Sequence, residues 1–371
     1  MADYYIDYST GNDSTGDGSS GTPWKTIQKA IDNSAGGDTI FVANTAAEVF
    51  SAAITWNTGF SGTSISSHLV IEAWDNSGSI TVTLPDLTTT TGFEWDGNSA
   101  VSTFWSTTGL PGYVTIKGGV FHGSTGSMGT TGASWMLRDC EVHSNPGTNM
   151  ILVGQYSTIT NCYFRDSGGS GVDGVNLSGV GCFLTGSRIE NCTGKGVYTS
   201  SSGSVIDGNI IDGHSETHVF LVTSNVRVTN NTINGKAGSQ PTNTHGVETN
   251  HSSYDNLIIT DNLITNFGGT SCVGVKTVSG ASLKAIGNNG FYSNTSDYSI
   301  FSIGLDLQAS DVTETSDPYT NAASGDFSLV SGALSIDAKA GALNDNIGGL
   351  QADPSGGAAS MLRRSNMRGG Y

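Results

Sequence analysis

The chain has 371 residues, 52 of them glycine, with 13% charged and 36% hydrophobic; 32 acids against 15 Lys plus Arg give a formal net charge of −17. That balance excludes a nucleic-acid binder, which needs a basic footprint, and a protein held on anionic lipid. Few charges among abundant Ser, Thr, Asn and aliphatic residues argue against disorder and point to an all-β chain with many tight turns.

The opening residues, MADYYIDYST, carry neither the basic nor the apolar region of a secretory signal. The expectation is a chain that does not use that route or has had its signal removed. No apolar run is long enough to span a membrane. Five cysteines, an odd number, cannot form a complete disulfide framework. In the loop IDYSTGNDSTGDGSS, Asp7, Asp13 and Asp17 offer oxygen ligands at a spacing that could suit Ca²⁺, though Asp-Gly and Asn-Asp are also ordinary turn residues. No other cofactor is expected. Next, PWKTIQKAID (23–32) predicts a short amphipathic helix with Ile27, Ala30 and Ile31 on one face. All six tryptophans lie between Trp24 and Trp135. They are expected to fill an irregular core near the N-terminus rather than to form a sugar-stacking platform.

From residue 111 onward the chain repeats itself. VTNNTING (228–235) and ITDNLITN (259–266) belong to a series anchored at Gly119, Cys140, Cys162, Ser187, Asn209, Asn231, Asn262 and Asn289. The intervals are 21, 22, 25, 22, 22, 31 and 27 residues. Three positions before each anchor stand Ile116, Leu137, Ile159, Leu184, Ile206, Val228, Ile259 and Ile286. Two positions after stand Phe121, Val142, Phe164, Ile189, Ile211, Ile233, Ile264 and Phe291. All sixteen are large and apolar. A period near 22 with short alternating stretches indicates a β-solenoid, in which like positions stack one strand spacing apart. The anchor column is expected to mark a turn, where Asn tolerates the left-handed region and its amide bridges neighbouring coils. Cys140 and Cys162, adjacent in that column, are expected to be buried thiols, although their spacing would admit a disulfide.

These features resemble the right-handed parallel β-helix proteins of the pectin-lyase-like superfamily. The phrase YYIDYSTGNDSTGDGSSGTPWKTIQKAIDNSAGGDTIFV (4–42) is similar to their opening segment, and DFSLVSGALSIDAKAGA (326–342) to their closing one. The resemblance implies a right-handed parallel β-helix solenoid with an N-terminal capping helix and a short basic C-terminal tail. It divides the chain into cap and irregular first coils (1–110), regular coils (111–300), closing coils (301–353) and tail (354–371). It implies little about activity, because the superfamily includes lyases, hydrolases, tailspikes and inert structural modules.

Stacking turns sequence offsets into surface stripes. Three positions after the anchors, His122, His143, Arg165, Glu190, Asp212, Asn234, Thr265 and Tyr292 should point outward, joined one position after the anchors by Glu141, Tyr163 and Arg188. Glu190 and Asp212, one coil apart, have the spacing of a retaining glycosidase pair; Arg165 or Arg188 could serve a β-elimination. The same residues also read as cross-strand ion pairs. A second stripe runs through Asp173, Lys195, Thr217 and His245, and through Asn176, Tyr198, Phe220, Glu248 and Lys276. THGVETNH (244–251), near His214 and His218, is the richest titratable cluster, but it lacks the HExxH spacing of a zinc site. Polygalacturonase motifs are absent; THGV matches only a His-Gly. Glycan contacts are expected from His122, His143, Glu141, Tyr163, His218, His245 and Glu248.

In the tail PSGGAASMLRRSNMRGGY, Arg363, Arg364 and Arg368 meet no acid, and with Tyr371 they are expected to dock on an acidic surface: a neighbouring subunit or another component of a larger assembly. The resulting expectation is a structural or adhesive β-helix on a phage or virus-like particle, homo-oligomeric and contacting glycans. Its alternatives are a polysaccharide lyase or glycoside hydrolase acting on an acidic polysaccharide, and a secreted bacterial surface or matrix protein in the extracellular space.

Overall fold

The computed structural model describes residues 1–56, 67–105, 112–129, 131–147, 149–236, 241–250, 256–277, 283–300, 311–324 and 326–330. Arg363, Arg364, Arg368 and Tyr371, which were expected to dock, His251, and most of the closing coils lie outside them.

The chain winds as a right-handed parallel β-solenoid. Among the described residues its walls are three parallel sheets. The first has eleven strands, from Asp3–Ile6 through Leu283–Gly287. The second also has eleven, from Glu48–Val49 through Val312–Thr313. The third has seven, from Asn149–Val153 through Tyr298–Ser299. The register is the sequence period made physical: Ile206 pairs with Val228, and Ile211 with Ile233. All sixteen apolar column positions are at most 1% exposed, each contributing about 1.5–3 kcal/mol of burial by the usual area relation.

The coil corners differ from expectation in one respect. The left-handed residue is not the anchor but its predecessor: Gly118, Asp139, Asn161, Gly186, Gly208, Asn230, Asp261 and Asn288 all have φ between 53° and 75°. The anchor column itself is buried. Asn209, Asn231, Asn262 and Asn289 are fully buried and form an internal amide ladder. Asn231 Oδ1 accepts from both the main-chain N–H and Nδ2 of Asn209 at 3.0 Å, while its Nδ2 donates to Ile206 O, Thr229 O and Asn262 Oδ1. The chain turns one residue earlier, before the anchors without an amide as well as before the asparagines, where Asp, Asn or Gly accept positive φ at little cost.

At the N-terminus the helix Ile27–Asn33 closes the stack with Ile27, Ala30 and Ile31 buried. Thr26 caps it, and the buried Glu48 carboxyl accepts from Ile27 N–H. Five of the six tryptophans are buried. Trp95, Trp105 and Trp135 interlock with Phe93, Phe104 and Phe121 in tilted and edge-on contacts 5.2–6.4 Å apart, filling the coils that precede the third sheet.

Candidate functional site

The outer face of the second sheet carries the stripe that could do chemistry. Each of its strands between residues 141 and 265 has three residues, two pointing out and one in. The register aligns His143, Arg165, Glu190, Asp212, Asn234 and Thr265 in one column, and Glu141, Tyr163, Arg188, Ile210, Thr232 and Leu263 in the other.

These side chains form a closed network. Arg165 clasps Glu141 Oε1 through Nε at 2.8 Å and the terminal nitrogen at 2.7 Å, and also meets Asp166. The other Glu141 oxygen accepts from Thr83 N–H. Glu190 is likewise engaged at both oxygens. The Tyr163 hydroxyl donates to one, and Arg188 Nε and its terminal nitrogen reach the other at 2.7 Å. Both guanidinium groups lie over the Tyr163 ring, 5.7–5.8 Å from its centre. Burial and the Glu190 contact push the Tyr163 phenol up, so it stays protonated. Asp212, one strand on from Glu190, is pushed up to about 6 by burial, against the opposing pull of its hydrogen bond from Asn234. His122 stacks on His143 at 4.9 Å and reaches Glu94 at 2.7 Å. Burial and the neighbouring Arg165 hold His143 down at about 4.

Two hairpins strap this face. Thr81–Thr83 with Thr89–Thr91 lies over its N-terminal part, where Thr83 holds Glu141. Tyr319–Asn321 with Asp326–Leu329 folds back over its C-terminal part. There Tyr319 and Phe327 bury Ile210 and Leu263, Phe327 meets Arg188 at 5.5 Å, and the Tyr319 hydroxyl meets Thr265 at 3.1 Å. Sequence reasoning missed the first strap and also the second. Its only signal was two aliphatic residues, Ile210 and Leu263, in an outward column.

Four of the expected glycan contacts are therefore not at the surface. Glu141 and Tyr163 are 3% and 4% exposed beneath their network. His218 is fully buried with His214 in the corner between the second and third sheets, its Nε2 at 2.8 Å from Asn234 O. The space was needed by the core: an edge of His218 packs against Phe267. His245 is also buried, with Nε2 at 3.0 Å from Lys276 Nζ. His122, His143 and Glu248 remain half-exposed.

The third sheet aligns Asn176, Tyr198, Phe220, Glu248 and Lys276 on consecutive strands, all half-exposed. Tyr198 and Phe220 stack at 6.0 Å and 21°, with Lys195 Nζ 5.3 Å from the Phe220 ring centre. Lys195 pairs with Glu216 at 2.6 Å, Lys276 with Glu248 at 3.0 Å, and Thr217 donates to Glu248 at 2.9 Å.

Elsewhere, Asp7, Asp13 and Asp17 each serve a separate turn. Asp7 accepts from Ser9, Thr10 and Thr45, Asp13 from Lys25 and Thr26, and Asp17 from Ser19 and Thr22. Among the described residues no three His, Cys, Asp or Glu side chains are grouped to share a metal ion. All five cysteines are buried free thiols, and burial pushes Cys162, beside Cys140, well above the ordinary thiol range.

A family model described as the right handed beta helix region matches residues 98–295. No curated protein matches the chain. Among solved structures, the chain is similar to a structure of XylC with xylose at 11% identity, covering 85% of this chain and 86% of that one, with a TM-score of 0.50. It is similar to pectate lyase Pel9A at 17% identity, covering 85% and 74%, with a TM-score of 0.49. It is also similar to the Dettilon tailspike protein at 11% identity, covering 84% and 68%, with a TM-score of 0.36. At these identities the likeness concerns the fold alone. With its matched span covering more than half of the chain and its coils stacked in the same sense, the protein belongs to the right handed beta helix family.

Proposed function

We propose that the protein is a structural, adhesive solenoid whose wall contacts carbohydrate, carried on the surface of a phage or virus-like particle. The observation that carries the carbohydrate part is the outer ladder of the third sheet. Asn176, Tyr198, Phe220, Glu248 and Lys276 present amide, aromatic, acidic and basic groups in one line, roughly 19 Å long at about 4.8 Å per strand. Aromatic surface bordered by a few polar groups suits the apolar faces and hydroxyls of a sugar chain. Shallow contacts repeated over several copies add avidity.

Five buried thiols without a disulfide suit folding in a reducing cytosol, and so export on a particle rather than by secretion. The acidic wall and the basic segment bearing Arg363, Arg364 and Arg368 are complementary in charge, which supports docking of that segment on a neighbouring subunit or another particle protein.

Affinity electrophoresis against a panel of bacterial surface polysaccharides tests the reading. One or more should retard the native protein, and Tyr198→Ala with Phe220→Ala should abolish the retardation. Retardation that survives both substitutions would remove the third sheet from the account.

A second reading, cleavage of an acidic polysaccharide, draws on Asp212 at about 6 one strand from Glu190, a pattern used for acid and base partners. Against it stand the two fully engaged Glu190 oxygens and the strap over Arg188. Release of unsaturated or reducing ends, abolished by Asp212→Asn, would favour cleavage.

A further inference from the structure

Neither the strapped network nor the third-sheet ladder uses the outer face of the first sheet. There the register lines up Met136, Thr158, Phe183 and Val205 in one outward column. Arg138, Thr160, Thr185 and Asp207 form the other. We propose that this face is the contact between two copies of the chain, related by a two-fold axis that sets their solenoids antiparallel.

The first observation is an apolar patch. Among the described residues six large hydrophobic side chains are exposed, and three of them, Met136, Tyr156 and Val180, gather here. Tyr156 and Val180 stand where the chain enters the strands Thr158–Thr160 and Phe183–Thr185. Tyr156 N–H donates to Val180 O at 2.8 Å, and the Tyr156 ring lies against Gly181. Half-exposed Phe183 and Val205 extend the patch along the sheet. Apolar surface gathered in this way marks an interaction site.

The second observation is charge. On the eight strands from Leu69–Trp74 to Leu257–Thr260, the outward columns hold three cations, Lys117, Arg138 and Arg227, and two acids, Glu72 and Asp207. The whole chain carries −17. A second copy therefore approaches this face with little repulsion.

The third observation is self-complementarity, which a two-fold contact requires. An axis parallel to the strands, between Thr158–Thr160 and Phe183–Thr185, reverses the strand order and sets each column on itself. Met136 of one copy then meets Val205 of the other, and Thr158 meets Phe183. Arg138, only 3.4 Å at best from its own Asp139, meets Asp207, which Thr229 and Asn230 hold in place. Each pairing occurs twice. An axis along the solenoid would instead set the apolar column on Arg138, Asp207 and the threonines. Eight strands at about 4.8 Å and a width of roughly 15 Å bury about 1,100 Å² over both copies, enough to clear the roughly 1,000 Å² of a specific interface.

The inference stands apart from the carbohydrate reading, because it leaves the third sheet open on both copies. Sedimentation velocity of the full chain across micromolar concentrations tests it. The native chain should sediment at twice the chain mass. Phe183→Glu and Val205→Glu should each weaken association at least tenfold, with the far-UV circular dichroism unchanged. Arg138→Asp and Asp207→Arg should each do the same, and the two combined in one chain should restore the dimer. Within one chain these residues are three strands, about 14 Å, apart, so recovery comes only across the axis. A monomer at every concentration, a trimer, a dimer that survives both glutamate substitutions, or a double variant no better than the single ones would overturn the proposal. Polysaccharide retardation that depends on Tyr198 and Phe220 would persist in each of those cases, leaving the wall reading intact.

Discussion

Replacing Asn231 with alanine removes one link from the internal amide ladder. The side chain accepts two hydrogen bonds from Asn209 and donates to Ile206 O, Thr229 O and Asn262 Oδ1, all at 2.9–3.0 Å and without solvent access. Alanine leaves the main-chain N–H of Asn209 facing a void. One stranded buried donor costs about 1–3 kcal/mol, and the void adds to it, so a loss of about 3 kcal/mol is expected. Serine should do better. Ser187 holds the same column two coils earlier, where its hydroxyl accepts from Cys162 N–H at 3.1 Å and donates to Thr185 O. Asn231→Ser should therefore recover part of what Asn231→Ala loses. Tryptophan fluorescence is the wrong probe, because every tryptophan lies at or before residue 135, and a solenoid can open coil by coil. Hydrogen exchange of peptides spanning 205–265 reads the local loss directly. Protection in the alanine variant equal to that of the wild type, or a serine variant no better than alanine, would refute the reasoning.

The pH profile should have two limbs. Burial lowers His214 and His218, the latter to about 3 from 6.5. The unfolded chain then binds more protons, so the stability due to each falls as pH drops below 6.5, by about 1.4 kcal/mol per unit while the folded ring stays neutral. Glu48 is pushed up to about 8 from 4.5 by burial, and the sign reverses: its contribution declines as pH rises from 4.5 towards 8. Urea midpoints measured across pH 4–9 should show both limbs, with Glu48→Gln flattening the upper one. Phe327→Ala should release the second strap, which rests on Tyr319, Ile210 and Leu263; a local cost of about 3 kcal/mol predicts faster proteolysis within 314–330 and an almost unchanged melting temperature of the coils.

Much of the fold was legible because the solenoid writes its interior as columns. Ile206 and Val228 face the same way for the same reason, and both are fully buried. The left-handed corners were equally written, as Asp, Asn or Gly just before each anchor, but the anchor asparagines drew the assignment to themselves. The stripes were aligned correctly, whereas the fate of each side chain was not legible. Whether Glu141 meets solvent depends on Thr83, 58 residues earlier, and Leu263 on Tyr319 and Phe327 far beyond it. Such contacts leave no periodic trace.

The role of the second-sheet carboxylates decides between a wall that holds and a site that cuts. The melting temperature of Glu190→Gln measures it without knowledge of any ligand. Catalytic carboxylates are commonly held at a cost to stability, so their removal is neutral or stabilising. Glu190 instead joins Tyr163 to an Arg188 side chain that is 4% exposed, and breaking such a pair costs about 3 kcal/mol or more. A fall of several degrees is predicted; an unchanged or higher melting temperature would contradict the account.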